Sequence, residues 1–221
     1  MFPLGDDNSQ RRSTPFVTYA LIAINVLVFL LELQNGDDFI RQWAFIPARF
    51  TADPGANIVT IFTAMFMHGG WMHLGGNMLY LWIFGDNVED RFGHFKFLLF
   101  YLGTGIAATF AQYYFTPGSN IPNVGASGAI AGVLGAYLLM FPQARVRVLV
   151  GNQVVAMPAL LVLGLWIGLQ IFSGVGSIAY TDETAQDVGG IAYMAHVGGF
   201  VAGFVMALIF RPGGGNPRIS A

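Results

Sequence analysis

The chain has 221 residues, 55% of them hydrophobic and only 10% charged, where a soluble domain carries roughly 25% charged residues. A formal net charge of −2 with no basic stripe excludes phosphate-driven nucleic-acid binding, and zero cysteines exclude disulfides, thiolate metal sites and cysteine nucleophiles. With a mean hydropathy of +0.59, the composition implies an all-α polytopic membrane protein whose first partner is the lipid bilayer.

Crossing the hydrocarbon takes about 20 helical residues, and six apolar runs approach that length in chain order. Residues 1–15, "MFPLGDDNSQRRSTP", read as a flexible cytoplasmic N-terminal segment. The first run, Phe16–Leu33, has a partly acidic leader and no small-x-small site after it, so it reads as a retained helix rather than a cleaved signal. Met72–Asn87 and His94–Phe115 are the second and third. The fourth, Ser127–Phe141, is short: from Ser127 to Met140 an α-helix rises about 21 Å, against a hydrocarbon core of roughly 30 Å. It is therefore expected to begin inside the membrane, reached by the charge-free loop "TPGSNIPNVGA". The fifth run is Val154–Phe172, with Pro158 in its first turn, where a missing N–H costs little. Ile191–Phe210 is the sixth, and 211–221 reads as a flexible cytoplasmic tail, leaving 16–210 as one transmembrane domain.

Lys and Arg set the orientation. Arg11, Arg12, Arg91, Lys96, Arg145, Arg147, Arg211 and Arg218 fall on one side of a six-span topology, and only Arg41 and Arg49 on the other. The positive-inside rule then puts both termini in the cytoplasm, with Asp182, Glu183 and Asp187 in an outer loop. Spans two, four and six all run inward, so their N-terminal ends share a level beneath the outer surface. "HGGWMHLGGN", "GASG" and "YMAHVGG" lie there.

Polar groups inside a membrane are expensive and face a protein interior or a watery cavity. His73, Asn77, Ser127 and His196 share that depth on three helices. Ser127 admits two readings. Gly125, Ser127, Gly128 and Gly132 can form a close-packing face, with Gly128 and Gly132 as a GxxxG pair. Alternatively, a serine at a helix N-terminus inside the membrane has unpaired N–H groups and the positive dipole end beside it, as an attacking nucleophile requires for its oxyanion. The hydrolase elbow G-x-S-x-G does not fit, because Ala129 takes the place of its last glycine.

His196 is either an interhelical hydrogen-bond partner or a general base. Gly199 and Gly203 follow at i+3 and i+7, giving a face without bulk that can press on the glycines of the fourth span and bring His196 to Ser127. No Asp or Glu occurs in spans four or six, so a dyad is the economical arrangement. His73 and Asn77, at i and i+4, form either a local pair at a helix start or two donors to an oxyanion. Metal ligation by His68, His73 and His196 lacks a carboxylate or thiolate at that level, so no metal is expected. Nothing in the chain has the form of a nucleotide or dinucleotide loop, so no cofactor is expected either.

"HGGWMHLGGN", "GASGAIAG" and "AHVGGFVAG", in that order on six spans, resemble the rhomboid intramembrane serine proteases over roughly Phe16 to Phe210. The resemblance implies a six-helix rhomboid-like bundle with Ser127 as nucleophile and His196 as general base. His73, Asn77 and the backbone near Ser127 would stabilise the oxyanion. It implies structural roles for His68 and for a cytoplasmic-end ion pair of Glu89 with Arg91. It further implies that "QWAFIPARF" braces the site, and that the fifth span with "SGVGSIAYTDETAQDVGG" forms a lateral gate and its cap. Some members stack an aromatic residue on the histidine from one turn after the serine. Here that position is Ala131, so another group must hold the imidazole.

The expected function is intramembrane serine endopeptidase activity on transmembrane protein substrates in a plasma or inner membrane, with the site opening toward the outer face. A catalytically inactive rhomboid-like protein that binds helices is the alternative, although its expected mark, loss of Ser127 or His196, is missing. A small transporter is a third class, since short, glycine-interrupted helices around polar residues also build transport sites. The chain shows no inverted repeat to support it.

Overall fold

The computed structural model describes residues 2–9, 11–179 and 192–210, and its first helix is α1 (Phe16–Trp43). Short helices α2 (Pro47–Ala52), α3 (Pro54–Asn57) and α4 (Thr60–Thr63) and a 3₁₀ turn at Ala64–Phe66 carry the chain to α5 (Trp71–Phe92). Helices α6 (His94–Phe115) and α7 (Ser127–Met140) follow, then α8 (Ala159–Ala179) and α9 (Tyr193–Phe210). Three strands, β1 (Phe2–Gly5), β2 (Arg145–Val150) and β3 (Gln153–Pro158), form one antiparallel sheet in the order β1-β2-β3. By length and composition, α1, α6 and α9 are apolar enough to cross a membrane; α7 and the first part of α8 are shorter apolar helices.

At the centre lies α7, buried from Gly128 through Tyr137 and packed against α5, α6 and α9. Its glycines explain how three helices fit around one. A Cβ on Gly128 would stand 2.5 Å from the Ala108 Cβ and one on Gly132 would stand 2.4 Å from the Thr104 Cβ, both on α6. From the other side, a Cβ on Gly199 or on Gly203 of α9 would lie 2.0 Å from the carbonyl oxygen of Gly128 or Gly132 respectively. The two glycine runs therefore meet differently from a simple face-to-face pair: α9 presses its glycines on the α7 backbone, while α7 turns its own toward α6.

The loop that delivers Ser127 is pinned by the segment after α1. Phe45 and Asn123 exchange backbone hydrogen bonds of 3.2 and 2.8 Å, Ala48 N–H donates to Ser119, and Gly125 N–H donates to Ala64. Phe45 itself is buried with Phe50, Ile61 and Ala64.

Several expectations are corrected. The helix expected over Phe16–Leu33 runs on to Trp43, with a break at Gly36, whose φ of 70° suits a residue without Cβ. The expected fifth run began at Val154, but 153–158 are a strand and the helix starts at Ala159. "RVRVLVGNQVVAMP" is a hairpin whose alternating side chains bury Val146 and Val148, turning at Gly151 with φ 58°. Nor is the N-terminal segment free: β1 pairs with β2, and Asn87 donates to Asp6 and Asn8. Tyr137 also donates to Asp6, Arg11 pairs with Asp86 at 2.7 Å, and Ser13 donates to Asp90. The tail 211–221, the outer-loop residues Asp182, Glu183 and Asp187, and Ile191 lie outside the described residues.

Candidate active site

Ser127 is the first residue of α7, delivered by Gly125 at φ 131°, a conformation that favours glycine. A side chain at Gly125 would also meet the His73 ring at 2.9 Å. His73 lies in the first turn of α5 and His196 in the first turn of α9, where its N–H donates to Ala192 at 3.2 Å. The first turns of three helices thus border one cavity, and a helix start carries the positive end of its dipole.

His196 Nε2 and Ser127 Oγ are 2.8 Å apart. On the far side of the ring, His196 Nδ1 is 2.7 Å from Gln170 Oε1. An amide oxygen only accepts, so Nδ1 carries the proton and Nε2 offers its lone pair to the Ser127 hydroxyl. Trp166 lies beside the imidazole with ring centroids 5.8 Å apart and planes inclined by 35°.

Across the site, Gly69 N–H donates to His73 Nδ1 at a long 3.4 Å, which leaves Nε2 as the protonated nitrogen on the Gly125 side. Asn77 is 8% exposed and its Nδ2 has no hydrogen-bond partner among the described residues. A buried donor without a partner costs stability, and such a donor beside a nucleophile is free to receive an oxyanion. His73, Asn77, Ser127 and His196 line one cavity of about 590 Å³, together with Met72, Tyr80, Trp166 and Gln170.

Four residues singled out from the sequence are therefore assembled, and others are not. His68 is buried behind His73, with ring centroids 5.1 Å apart and edge to face. Its N–H donates to Glu32 of α1 at 3.1 Å, so a carboxylate does reach this level, contrary to expectation. Among the described residues no group of three or more His, Cys, Asp or Glu could hold a metal. Glu89 is at the opposite end of α5. Its carboxylate accepts from the N–H groups of Val17 and Thr18 and the Thr18 hydroxyl, and it lies 2.6 Å from His94 Nδ1. An anion there satisfies the orphan donors of α1.

Sequence reasoning missed Gln170 and Trp166. They are four residues apart, on one face of α8, in "LWIGLQ". A lone glutamine in an apolar helix was the signal available.

A family model for the rhomboid domain matches residues 55–213. Among curated proteins, the mitochondrial rhomboid protein 1 of Saccharomyces cerevisiae is 29% identical over 193 residues, covering 85% of this chain and 51% of that protein. The rhomboid protease GluP of Bacillus subtilis is 31% identical over 197 residues, covering 87% and 34%. The human presenilin-associated rhomboid-like protein, mitochondrial, is 30% identical over 168 residues, covering 69% and 42%. The chain thus spans about half or less of these relatives' lengths. With the domain match extending over most of its length, and with long apolar helices that make it membrane-embedded, the chain belongs to the rhomboid family.

Proposed function

We propose that the chain is an intramembrane serine endopeptidase that cleaves transmembrane segments of other proteins, with Ser127 as nucleophile and His196 as general base. The observation that carries this reading is the 2.8 Å Ser127–His196 bond at the start of α7, opening onto a cavity with free donors. A packing serine needs neither the cavity nor the donors. That relatives such as GluP are named proteases supports the reading at the level of the family.

In this proposal six helices (α1 and α5 to α9) cross the membrane, and α7, 14 residues long, begins below the outer surface. Both termini are cytoplasmic in a plasma or inner membrane, on the side of Arg11, Arg12, Arg145 and Arg147. A substrate helix unwinds into the cavity and presents a backbone carbonyl. Ser127 Oγ bonds to the carbonyl carbon as its proton passes to His196 Nε2, and the carbonyl electron pair moves to oxygen. His73 Nε2–H, Asn77 Nδ2–H and the Ser127 N–H hold that oxyanion, each side-chain donor contributing roughly 3–4 kcal/mol. His196 then gives the proton to the leaving amine nitrogen as the C–N bond breaks. Water hydrolyses the acyl-enzyme by the same steps in reverse.

The test is cleavage of a single-span reporter in proteoliposomes. Wild type should cut it within or beside the span, and Ser127→Ala and His196→Ala should not. Folded wild type that binds the reporter without cutting it would favour the helix-binding alternative.

A further inference from the structure

We infer that Gln170 is a positioning residue of the proton relay, so that α8 supplies the group that holds His196 in its reactive tautomer. This rests on the proteolytic reading above and deepens it. A carboxylate that would play this part in a Ser–His–Asp arrangement is missing from α7 and α9. The structure puts an amide oxygen in its place, 2.7 Å from Nδ1. A neutral acceptor fixes the ring without burying a second charge. It keeps the Nδ1 proton throughout and turns its dipole toward the imidazolium that forms when Ser127 loses its proton. If Nδ1 were unprotonated, Nε2 would carry the hydrogen and could not accept from Ser127.

The placement of Gln170 argues for a directed role. Polar side chains in apolar helices are costly, and α8 otherwise exposes Leu160, Leu161, Leu165, Leu169, Ile171 and Phe172. Leu163, Trp166, Ile167, Gln170 and Gly174 make the inward face, at helical spacing. Trp166 packs on both His196 and Phe200, so the ring is held from α8 at its edge and along its side. The position one turn after Ser127 is Ala131, fully buried, which supplies no aromatic to do so. A displacement of α8 away from α9 takes acceptor and indole away together, leaving Ser127 in place with an unoriented base.

The experiment uses the full chain in detergent with a fluorogenic single-span peptide. Wild type, Ser127→Ala, Gln170→Met, Gln170→Glu and the outward-facing control Leu169→Ala are compared for kcat, KM, pH profile and melting temperature. Gln170→Met keeps shape and removes the amide acceptor, so kcat should fall about 30-fold, less than the roughly 100- to 10,000-fold that a general base itself contributes, as suits a residue that only positions the base, with KM within about twofold. Gln170→Glu should recover most of that loss at alkaline pH and lose it again at acidic pH. ¹⁵N-histidine spectra, assigned with His196→Ala, should show a single Nδ1–H tautomer in wild type and a mixture in Gln170→Met. Wild-type kcat and pH profile in a folded Gln170→Met, or an Nε2–H tautomer in wild type, would overturn the relay while leaving Ser127-dependent cleavage intact. No cleavage by wild type, or cleavage unaffected by Ser127→Ala, would overturn the proteolytic reading, and the relay would fall with it.

Discussion

The two sides of the candidate site are built in opposite ways. Ser127 stands on α7, which is buried nearly throughout and locked by glycines against α6 and α9 at backbone contact distance. His196 stands on α9, equally locked, but its ring is oriented from α8, a peripheral helix with a row of exposed apolar side chains on its outer face. Position is fixed by backbone packing, which has no slack. Orientation is fixed by one hydrogen bond and one ring contact, which a modest helix movement can undo.

The sharpest way to break this contrast is on the locked side. Gly199→Ala puts a methyl group 2.0 Å from the Gly128 carbonyl oxygen, and backbone cannot rotate aside as a side chain would. We expect a loss of about 3 kcal/mol or more, at the upper end for overpacking, visible as a large fall in melting temperature, and activity below detection as α9 carries His196 away. A folded, active Gly199→Ala would show that the interface yields.

Within the cavity the effects should be kinetic. His73→Ala or Asn77→Ala should lower kcat by about 100-fold or more each, as removal of an oxyanion donor does, with melting temperature nearly unchanged. Asn77→Ala should even stabilise slightly, because the Asn77 Nδ2 has no partner to lose. On the loose side, Trp166→Ala should cost kcat about tenfold at most, and Leu165→Ala, which alters an outward-facing side chain, should cost nothing measurable.

A last effect, one that leaves the cavity untouched, lies at the far end of the molecule. Burial pushes the Asp6 carboxyl up from 3.8 to about 6, with Asp86 adding repulsion and hydrogen bonds from Tyr137 and Asn87 opposing both. The docked segment therefore holds a proton more tightly than the free chain. Docking is strongest below pH 3.8 and weakens as pH rises toward 6, by at most about 3 kcal/mol. Hydrogen exchange of the β1 amides should accelerate across that window, and Asp6→Asn should flatten the dependence and leave β1 better protected at neutral pH. An unchanged pH dependence in Asp6→Asn would assign the effect to another group.

Much of this was legible in the sequence because the membrane makes the code simple. His94–Phe115 is read with its observed ends since glycine and threonine flank a continuous apolar run. His73, Asn77, Ser127 and His196 were grouped by the expected six-span topology and by the motifs around them, and the structure places all four on one cavity. The hairpin was obscured by its own hydrophobicity: "QVVAMPALLVL" reads as one apolar stretch, although the Gly151–Asn152 turn and the alternation in "RVRVLV" mark strands. Glu89 also accepts from Val17 and Thr18, more than 70 residues away at the start of α1, and nothing in the local sequence announces those partners. Gln170 and Glu32 were invisible for a related reason: a lone polar residue in an apolar helix announces a partner but not which one.

The most direct test of the central claim is labelling with a fluorescent fluorophosphonate, which reacts preferentially with an activated serine. Folded wild type, Ser127→Ala and His196→Ala would be compared side by side in mild detergent. The account predicts a labelled wild type, with labelling abolished by Ser127→Ala and by His196→Ala. Equal labelling of wild type and Ser127→Ala, or no labelling of folded wild type, would contradict it and return Ser127 to a packing role.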